Sequence, residues 1–562
     1  MFETYSAVIN YTALLLIIGV AVQLWFAARL FLFASGMFML IGTYASIHLV
    51  MDGQSVWIGV VIAFVAAVAA GLVVGWLLGP LDGLYLGLAS LAVSEVVRII
   101  ATQNKDISGG PDGFVVPAIV TPQTMLIVAA VVVFLSWSYQ RAYSGPLRTI
   151  NFDPRVAESL GIRATSYQRL TLALGAGLAG AAAFLYACTS FVVTPAEYGF
   201  NILVLSLTVA VIGGRNHWLG PVVGAAVIGI LPQVYTSLEK YTVMMSGLIL
   251  LAVLIFSADG LVPGAIRLGK HFLTGRRALV SEDEAVGERD DDAWKTWLDR
   301  VFGEPVAPDR ADTVLDVDHV DFRYGGVHAL RDVSFTASRG EVLGIVGPNG
   351  AGKTTLMNAL SGVARPTSGQ VRYFGDAVKK VNPTLLVERG VMRTFQKSYL
   401  VPDLSVVENL ALGRARVGSS LFGIEIGREA IRDRREIAEL SVRAFGLDAV
   451  EKLEPEELPL GTRRLVEVLR AVNQGPRLLL LDEPTAGMDA DEVRRFEELL
   501  IELSGRGVTI LLISHDLDVI QKTCHRIHVL SLGESIADVP ASEMLTDPRI
   551  ADAYLGRQES RL

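Results

Sequence analysis

The sequence is poor in cysteine and in basic residues. It has two cysteines in 562 residues. Cys188 lies in an apolar run and Cys524 in a charged region, so no disulfide framework is expected. Lys and Arg number 49 against 58 Asp and Glu, a net charge of −9. Because phosphate neutralisation needs clustered basic side chains, this balance argues against a nucleic-acid-binding role. Residues 1–7 contain no Lys or Arg, so no cleavable signal peptide is expected.

Hydrophobic residues are abundant but unevenly distributed. They make up 51% of the chain, and the mean hydropathy is +0.44. Residues 7–258 are mostly apolar, whereas 259–562 resemble an ordinary charged globular chain. Because a bilayer core needs about 20 apolar residues per helix, we predict about nine spans. They lie at 7–26, 30–50, 56–78, 83–101, 119–140, 168–190, 199–214, 217–238 and 241–258.

Basic residues between the apolar runs predict the orientation. The stretch 141–169 carries five arginines, and the stretch after 258 carries Arg267, Lys270, Arg276 and Arg277. The positive-inside rule places both stretches in the cytoplasm. Nine spans then put the N-terminus outside and the charged half inside.

Two features inside the apolar half have competing interpretations. Residues 174–180 contain a GxGxxG pattern, but no strand precedes it, so we interpret its small residues as helix-packing positions. Glu95 and Arg98 are three residues apart on one helix face. Ionisable groups within a span are candidates for function, and a structural ion pair is the equal alternative.

The sequence predicts three regions. Residues 1–258 form a transmembrane domain, 259–312 a cytoplasmic acidic linker, and 313–562 a charged globular domain. The run 281–292 is acidic and is expected to stay solvated and mobile. Residues 294–302 could form a short amphipathic helix.

A phosphate-binding loop follows the apolar strand 342–346. The run Gly347-Pro348-Asn349-Gly350-Ala351-Gly352-Lys353-Thr354-Thr355 fits GxxxxGK[ST] between a strand and a helix. Its glycines let backbone N–H groups surround phosphate oxygens, and the following helix presents its positive end. Lys353 is predicted to neutralise the β- and γ-phosphates, and the Thr354 hydroxyl to bind Mg²⁺.

Two carboxylates end a second apolar strand. Leu478 to Leu481 precede Asp482 and Glu483. We expect Asp482 to hold the Mg²⁺ shell and Glu483 to polarise the attacking water.

With these motifs in order, residues 313–562 resemble the nucleotide-binding domain of ABC transporters. The resemblance implies binding of ATP and Mg²⁺ and ATP hydrolysis. It implies that Tyr324 stacks on adenine, that Gln396 senses Mg²⁺ and the membrane domain, and that His515 contacts the γ-phosphate. Asp489 matches the dimer-interface aspartate.

The signature motif departs from the family pattern. Leu458-Pro459-Leu460-Gly461 replaces Leu-Ser-Gly-Gly, so the serine is absent, while Gly461 and the helix N-terminus could still supply backbone donors. This variant is similar to the Leu-Pro-Tyr-Gly of branched-chain amino acid importers.

The apolar half resembles the permease of the same importers. The runs 83–86 and 95–98, Gly109 to Gly113, 157–162, 213–215 and 220–225 carry the likeness. The fold expected is a polytopic α-helical membrane domain fused to an α/β phosphate-loop ATPase.

The resemblance implies a fused subunit of a binding-protein-dependent importer in the bacterial plasma membrane. It would need a second permease and ATPase domain and an extracytoplasmic binding protein, and residues 144–166 would hold a coupling helix near Gln396. The expected substrate is a branched-chain or related hydrophobic amino acid. A urea or short-chain amide importer is the alternative, and a half-exporter or a regulatory ABC ATPase fits less well.

Overall fold

A computed structural model describes residues 2–230, 244, 247–248, 251–252, 255, 260–274, 285–306, 309–378, 382–396, 398–413, 419–421, 424–426, 428–544 and 546–550. The chain forms two compact units. The first contains residues 1–151 and 164–277, and the second contains 152–163 and 278–562.

The first unit is helical. Helices α1 to α12 are, in chain order, Phe2–Ala27, Ser35–Met51, Val56–Leu77, Gly83–Gln103, Lys105–Ser108, Pro122–Ala142, Ser144–Phe152, Pro154–Ser159, Ala164–Ala187, Phe200–Gly213, Gly220–Ala225 and Leu261–Thr274. All of them lie in the first unit except α8, which belongs to the second together with Phe152, the last residue of α7. A single π-helical turn, Ala226–Ile230, follows α11. Strands β1 (Phe114–Val115) and β2 (Val192–Val193) pair antiparallel. The helix α9 packs against α1, α2 and α3, and the core of the unit lies there.

Five helices within the described ranges are long and apolar enough to cross a membrane: Ser6–Ala27 of α1 and the whole of α3, α4, α6 and α9. Three shorter apolar helices, Ser35–Met51, Phe200–Gly213 and Gly220–Ile230, coincide with three more of the predicted spans. The predicted span 241–258 lies almost wholly outside the described residues. The count of nine therefore stays a prediction.

The glycines of the GxGxxG pattern are helix contact points. A Cβ atom on Gly175 would lie 2.2 Å from Nε1 of Trp25, and one on Gly177 would lie 2.6 Å from the Phe64 ring. A Cβ on Gly180 would lie 2.5 Å from the Cβ of Ala67. Close helix approach therefore explains this pattern, as the sequence context indicates.

The second unit is built on two main sheets. The strands β3 to β8 are Asp309–Tyr324, Val327–Arg339, Val342–Val346, Ser368–Tyr373, Asp376–Ala377 and Val391–Arg393. The strands β9 to β14 are Ser419–Leu421, Ile424–Ile426, Leu478–Asp482, Thr509–Ile513, Arg526–Ser531 and Glu534–Pro540. The six-stranded sheet has the order β14-β13-β5-β12-β11-β8, and all its pairs are parallel except β13 with β14. The four-stranded sheet, β4-β3-β6-β7, is antiparallel.

Helices cover the parallel sheet. The helices α13 to α20 are Asp291–Phe302, Lys353–Leu360, Pro383–Glu388, Val406–Leu410, Arg428–Ala444, Leu460–Val472, Ala490–Gly505 and Leu517–Thr523. The strands β5, β11 and β12 are buried along their whole length, as their uninterrupted apolar runs indicate. The helix α13 lies inside the predicted linker, and it buries one apolar face in the second unit.

We expect Gly42→Ala to destabilise the first unit. Its Cβ would lie 2.4 Å from Cα of Gly180 in α9, and overpacking of this kind costs about 1–3 kcal/mol. Gly269→Ala is the matched control, because its Cβ meets nothing within 4 Å. Thermal unfolding of the detergent-solubilised protein should show a lower midpoint for Gly42→Ala alone. Equal midpoints for the two variants would contradict the packing argument.

Candidate functional site

The phosphate loop connects β5 to α14. Gly347, Gly350 and Gly352 have φ values of 153°, 82° and 101°, a region that side chains with a Cβ rarely adopt. A Cβ on Gly352 would also lie 2.7 Å from the carbonyl oxygen of Ala329. The loop therefore requires glycine both for its backbone angles and for its close approach to β4.

Lys353 lies folded over this loop. Its Nζ donates to the carbonyl oxygens of Gly347 at 2.6 Å and Pro348 at 3.1 Å. Burial lowers the pKa of Lys353, and the carboxylates of Glu483 and Asp482 oppose that shift. The ammonium is thus placed among the loop's backbone atoms, where an anion would gain most from it.

A cleft of about 460 Å³ opens over the loop. Its walls bring together Asn349, Gly350, Gly352, Lys353, Thr354, Thr355, Gln396, Glu483 and His515. These residues come from four separate parts of the chain, and the sequence predicted all of them as site residues. The strand β4 adds Val327, His328, Ala329 and Arg331 to the walls.

Glu483 occupies the centre of this group. Its Oε1 lies 2.9 Å from Nε2 of His515, and its Oε2 accepts from Nε2 of Gln396 at 3.5 Å. Its backbone has a φ of 51°, unusual for a residue other than glycine, and its N–H donates to the carbonyl oxygen of Ile513 at 2.9 Å. A backbone in this region costs about 1–3 kcal/mol and is typical of functional sites.

Asp482 lies beneath the cleft at the end of β11. Its side chain is 2% exposed, and Nη2 of Arg393 lies 3.6 Å from its Oδ2. Burial raises the pKa of Asp482, and the charge of Arg393 opposes the shift. Among the described residues Oδ2 accepts no hydrogen bond. A buried carboxylate oxygen with spare acceptor capacity fits a hard cation such as Mg²⁺.

Five residues predicted for the site lie outside the walls of the cleft: Gly347 and Asp482, described above, and the three that follow. Tyr324 ends β3, where it pairs with Val327 of the cleft wall and keeps about half its surface exposed. Asp489 caps α19 by accepting from the N–H of Glu492 at 2.7 Å. Gly461 lies buried in the first turn of α18, the signature helix.

Close packing accounts for glycine at position 461. A Cβ there would lie 2.0 Å from Oε2 of Glu492 and 2.7 Å from the carbonyl oxygen of Gly487. Thr462 donates to Oε1 of Glu492 at 3.0 Å. The start of the signature helix is thereby seated against the segment that follows Glu483.

Sequence reasoning missed a buried charged network on the signature helix. Arg464 donates to the carbonyl oxygen of Phe395 at 2.7 Å, and Arg470 donates to that of Tyr399 at 3.0 Å. Glu467 lies between them, 2% exposed, with Oε2 at 3.3 Å from Arg464. Burial raises the pKa of Glu467, which the charges of Arg470 and Arg464 oppose.

These hydrogen bonds fix the backbone of the loop that carries Gln396. The signal available in the sequence was the spacing of the three charges, since positions three apart share one helix face. Charges on the apolar face of a helix are rarely buried without partners.

The chain resembles known proteins in both halves. The family model "Branched-chain amino acid transport system / permease component" matches residues 4–258, and "ABC transporter" matches 330–486. The high-affinity branched-chain amino acid transport ATP-binding protein BraF of Pseudomonas aeruginosa is 32% identical over 249 residues, covering 43% of this chain and 98% of BraF.

ATPases named for other substrates also match. The ribose import ATP-binding protein RbsA 1 of Burkholderia pseudomallei is 36% identical over 272 residues, covering 46% of this chain and 31% of that protein. A solved nucleotide-free ATP-binding cassette from an ABC transporter is 28% identical, covers 44% of this chain and all of its own, and has a TM-score of 0.38.

The family matches and the geometry of the cleft agree. The apolar helices and the permease match make this an integral membrane protein, and the ATPase match implies ATP binding and hydrolysis coupled to transport. The chain belongs to the ABC transporters, and it joins a permease domain of the branched-chain amino acid transport type to an ATPase domain in one polypeptide.

Proposed function

We propose that this protein imports branched-chain or related hydrophobic amino acids across the bacterial plasma membrane, driven by ATP. The observation that carries the proposal is the permease match over residues 4–258, joined in one chain to an ATPase that resembles BraF over almost all of BraF's length. The likeness to ribose and arabinose ATPases concerns the ATPase half. We therefore infer the class of substrate from the permease half.

In this proposal the cleft binds ATP with Mg²⁺. The backbone of Gly347, Gly350 and Gly352 surrounds the phosphates, and Lys353 neutralises their charge. Thr354, Asp482 and Gln396 would hold Mg²⁺, which would supply positive charge to stabilise the phosphates. Tyr324 stacks on the adenine from the end of β3, and Asn349 and Thr355 complete the loop.

Glu483 serves as the general base for hydrolysis. It accepts a proton from the attacking water as the water oxygen bonds to the γ-phosphorus and the bond to the leaving ADP breaks. His515 lies 2.9 Å from the carboxylate, which it orients, and would contact the γ-phosphate. The position of Gln396 beside Oε2 of Glu483 links this base to the loop held by the signature helix.

The altered signature implies a partner. In our proposal the motif from Leu458 to Gly461 acts on the nucleotide of a second ATPase domain through backbone N–H groups of the first turn of α18. The complex then contains a second permease and ATPase domain and an extracytoplasmic binding protein. A missing serine contact to a phosphate costs about 1.5–3 kcal/mol, so the site built on Lys353 carries most of the hydrolysis if the partner's signature is intact.

In this proposal, residues 152–163 couple ATP hydrolysis to movement of the permease domain. They lie within the permease match, yet they belong to the compact unit of the ATPase. Arg163 donates to Oε1 of Glu388 in α15 from Nη2 at 2.5 Å, and the ring of Phe152 lies 6.4 Å from that of Tyr399. The ring of Tyr399 lies 5.4 Å from that of Phe395, the residue before Gln396, so packed side chains connect this segment to the cleft.

An ion pair in α4 supports an amino acid as the substrate. Glu95 and Arg98 hydrogen-bond to each other, and their side chains stay 47% and 28% exposed on a helix able to span the membrane. Ionisable side chains within a membrane span almost always face the protein interior or a water-filled path. Opposite charges side by side suit a zwitterion, whereas urea carries no charge to match them.

We expect Glu483→Gln to lower ATP turnover by about 10²–10⁴-fold, because the amide cannot act as a base. ATP binding should stay close to that of the parent protein. Steady-state hydrolysis and titration with a fluorescent ATP analogue measure the two effects in the assembled complex. Glu439→Gln is the matched control on an exposed face of α17. Normal turnover by Glu483→Gln would refute the assignment.

Exchanging the charges of Arg163 and Glu388 tests the contact between residues 152–163 and α15. Arg163→Glu and Glu388→Arg alone place like charges together and should lower amino acid uptake several-fold, while basal hydrolysis changes less. The double exchange restores opposite charges and should recover much of the uptake. Arg155→Glu, in the same segment, is the control. Uptake that is equally low in the double and single variants would argue against this contact.

Uptake by proteoliposomes that contain the whole complex, its binding protein and internal ATP tests the substrate. Leucine, isoleucine and valine should compete with labelled leucine, whereas urea and the carboxylate-free isoamylamine should not. We expect Glu95→Gln to lower uptake about tenfold and Asp106→Asn, outside the span, to leave it unchanged. Competition by urea, or labelled urea uptake without leucine uptake, would favour the amide importer instead.

A further inference from the structure

The helix α13 lies between the two family matches, in neither of them. It begins at Asp291, where the side chain of Asp290 accepts from the N–H of Ala293 at 3.0 Å. Its buried face consists of Ala293, Trp294, Trp297, Leu298 and Val301. Ten residues, 275–284, separate α12 of the first unit from the buried Ala285. The connection between the halves therefore ends in a helix that is part of the ATPase core.

Aromatic rings attach this helix beside α17. The ring of Trp297 meets that of Phe445 edge-on, with centroids 5.4 Å apart, and the ring of Trp294 lies 4.9 Å from the same Phe445. Arg300 adds an ion pair with Asp433 of α17 at 2.9 Å. Trp297 is fully buried, so its indole N–H needs a partner inside the protein.

That partner is Asn473, the C-cap residue directly after the signature helix. The Nε1 of Trp297 donates to Oδ1 of Asn473 at 2.8 Å. The amide nitrogen of Asn473 donates to the carbonyl oxygen of Leu410 and to Oγ of Ser441, both at 3.2 Å. Asn473 is buried, and it ties the ends of α16 and α18 to α13 and α17.

The opposite side of α13 is attached to α19. Asp299 pairs with Arg506 at 2.8 Å, and Arg506 also donates to the carbonyl oxygen of Gly303. Arg289, just before the helix, pairs with Glu498 at 2.6 Å. The helix α19 begins beside the Gly461 end of the signature helix, through Glu492. Therefore α13 is attached to α19 and, through Asn473, to the far end of the signature helix.

We propose that Trp297 is a positioning residue for ATP hydrolysis. By holding Asn473 it sets the C-terminal end of the signature helix, and with it the angle at which Leu458 to Gly461 meet the partner's nucleotide. The inference rests on the proposed role of that motif. The helix has 13 residues and is about 20 Å long, so a small tilt at one end displaces the other. A displacement of about 1 Å near a reacting group can cost about 10²-fold in rate.

The test is Trp297→Phe in the complete complex in lipid. Phenylalanine keeps a ring against Phe445 but removes the N–H that Asn473 accepts. Trp294→Phe is the matched control on the same helix and the same partner ring. Hydrolysis kinetics, titration with a fluorescent ATP analogue and thermal unfolding are measured for all three proteins.

We expect kcat to fall about tenfold in Trp297→Phe, with KM and analogue binding changed by less than about twofold. Asn473→Leu is measured alone and together with Trp297→Phe. The double variant should lose less kcat than the product of the two single losses, because both changes remove the Trp297–Asn473 bond, while Asn473→Leu also removes the bonds to Leu410 and Ser441. A normal kcat, or the same loss of kcat in Trp294→Phe, would overturn the proposal. If Trp297→Phe is active while Glu483→Gln is inactive, this inference alone fails; activity in Glu483→Gln instead refutes the proposed catalytic site.

Discussion

The parallel pairing of β5, β12 and β11 brings the phosphate loop, Glu483 and His515 together. Because the three strands run in one direction, their carboxyl ends meet at one edge of the sheet. The phosphate loop follows β5, Asp482 ends β11 with Glu483 directly after it, and His515 follows β12. The N–H of Glu483 donates to the carbonyl oxygen of Ile513, which joins two of these ends directly. A register shift in this sheet would separate the Glu483 carboxylate from the His515 ring.

The signature helix connects this edge to the rest of the ATPase. Its buried charges grip the backbone on both sides of Gln396, through Phe395 and Tyr399. Its first turn is seated on Glu492, and its end is held by Asn473. Buried charges of this kind are costly unless each has a partner, so breaking one contact leaves another group unpaired. The loop, the helix and α13 should therefore move together.

The membrane unit is organised by a different physical requirement. Helices in lipid gain little from apolar burial against one another, so small residues that permit close contact decide which faces pair. Gly42 and Gly180 bring the backbones of α2 and α9 together. The ATPase instead packs apolar faces around a sheet, with Leu478 to Leu481 wholly buried. One polypeptide thus contains two cores with different chemistry, and residues 152–163 belong by sequence to one and by packing to the other.

Short stretches of the sequence were enough to predict the membrane half and the nucleotide site. The apolar runs predicted the membrane half, and the phosphate loop between a strand and a helix predicted the nucleotide site. Only the tertiary structure decided which distant groups meet. Gln396 and Glu483 are 87 residues apart, and Trp297 and Asn473 are 176 apart. The spacing of Arg464, Glu467 and Arg470 indicates that they share one helix face. Which groups these charges contact, and that α13 joins the ATPase core, depend on surfaces that exist only once the chain has folded.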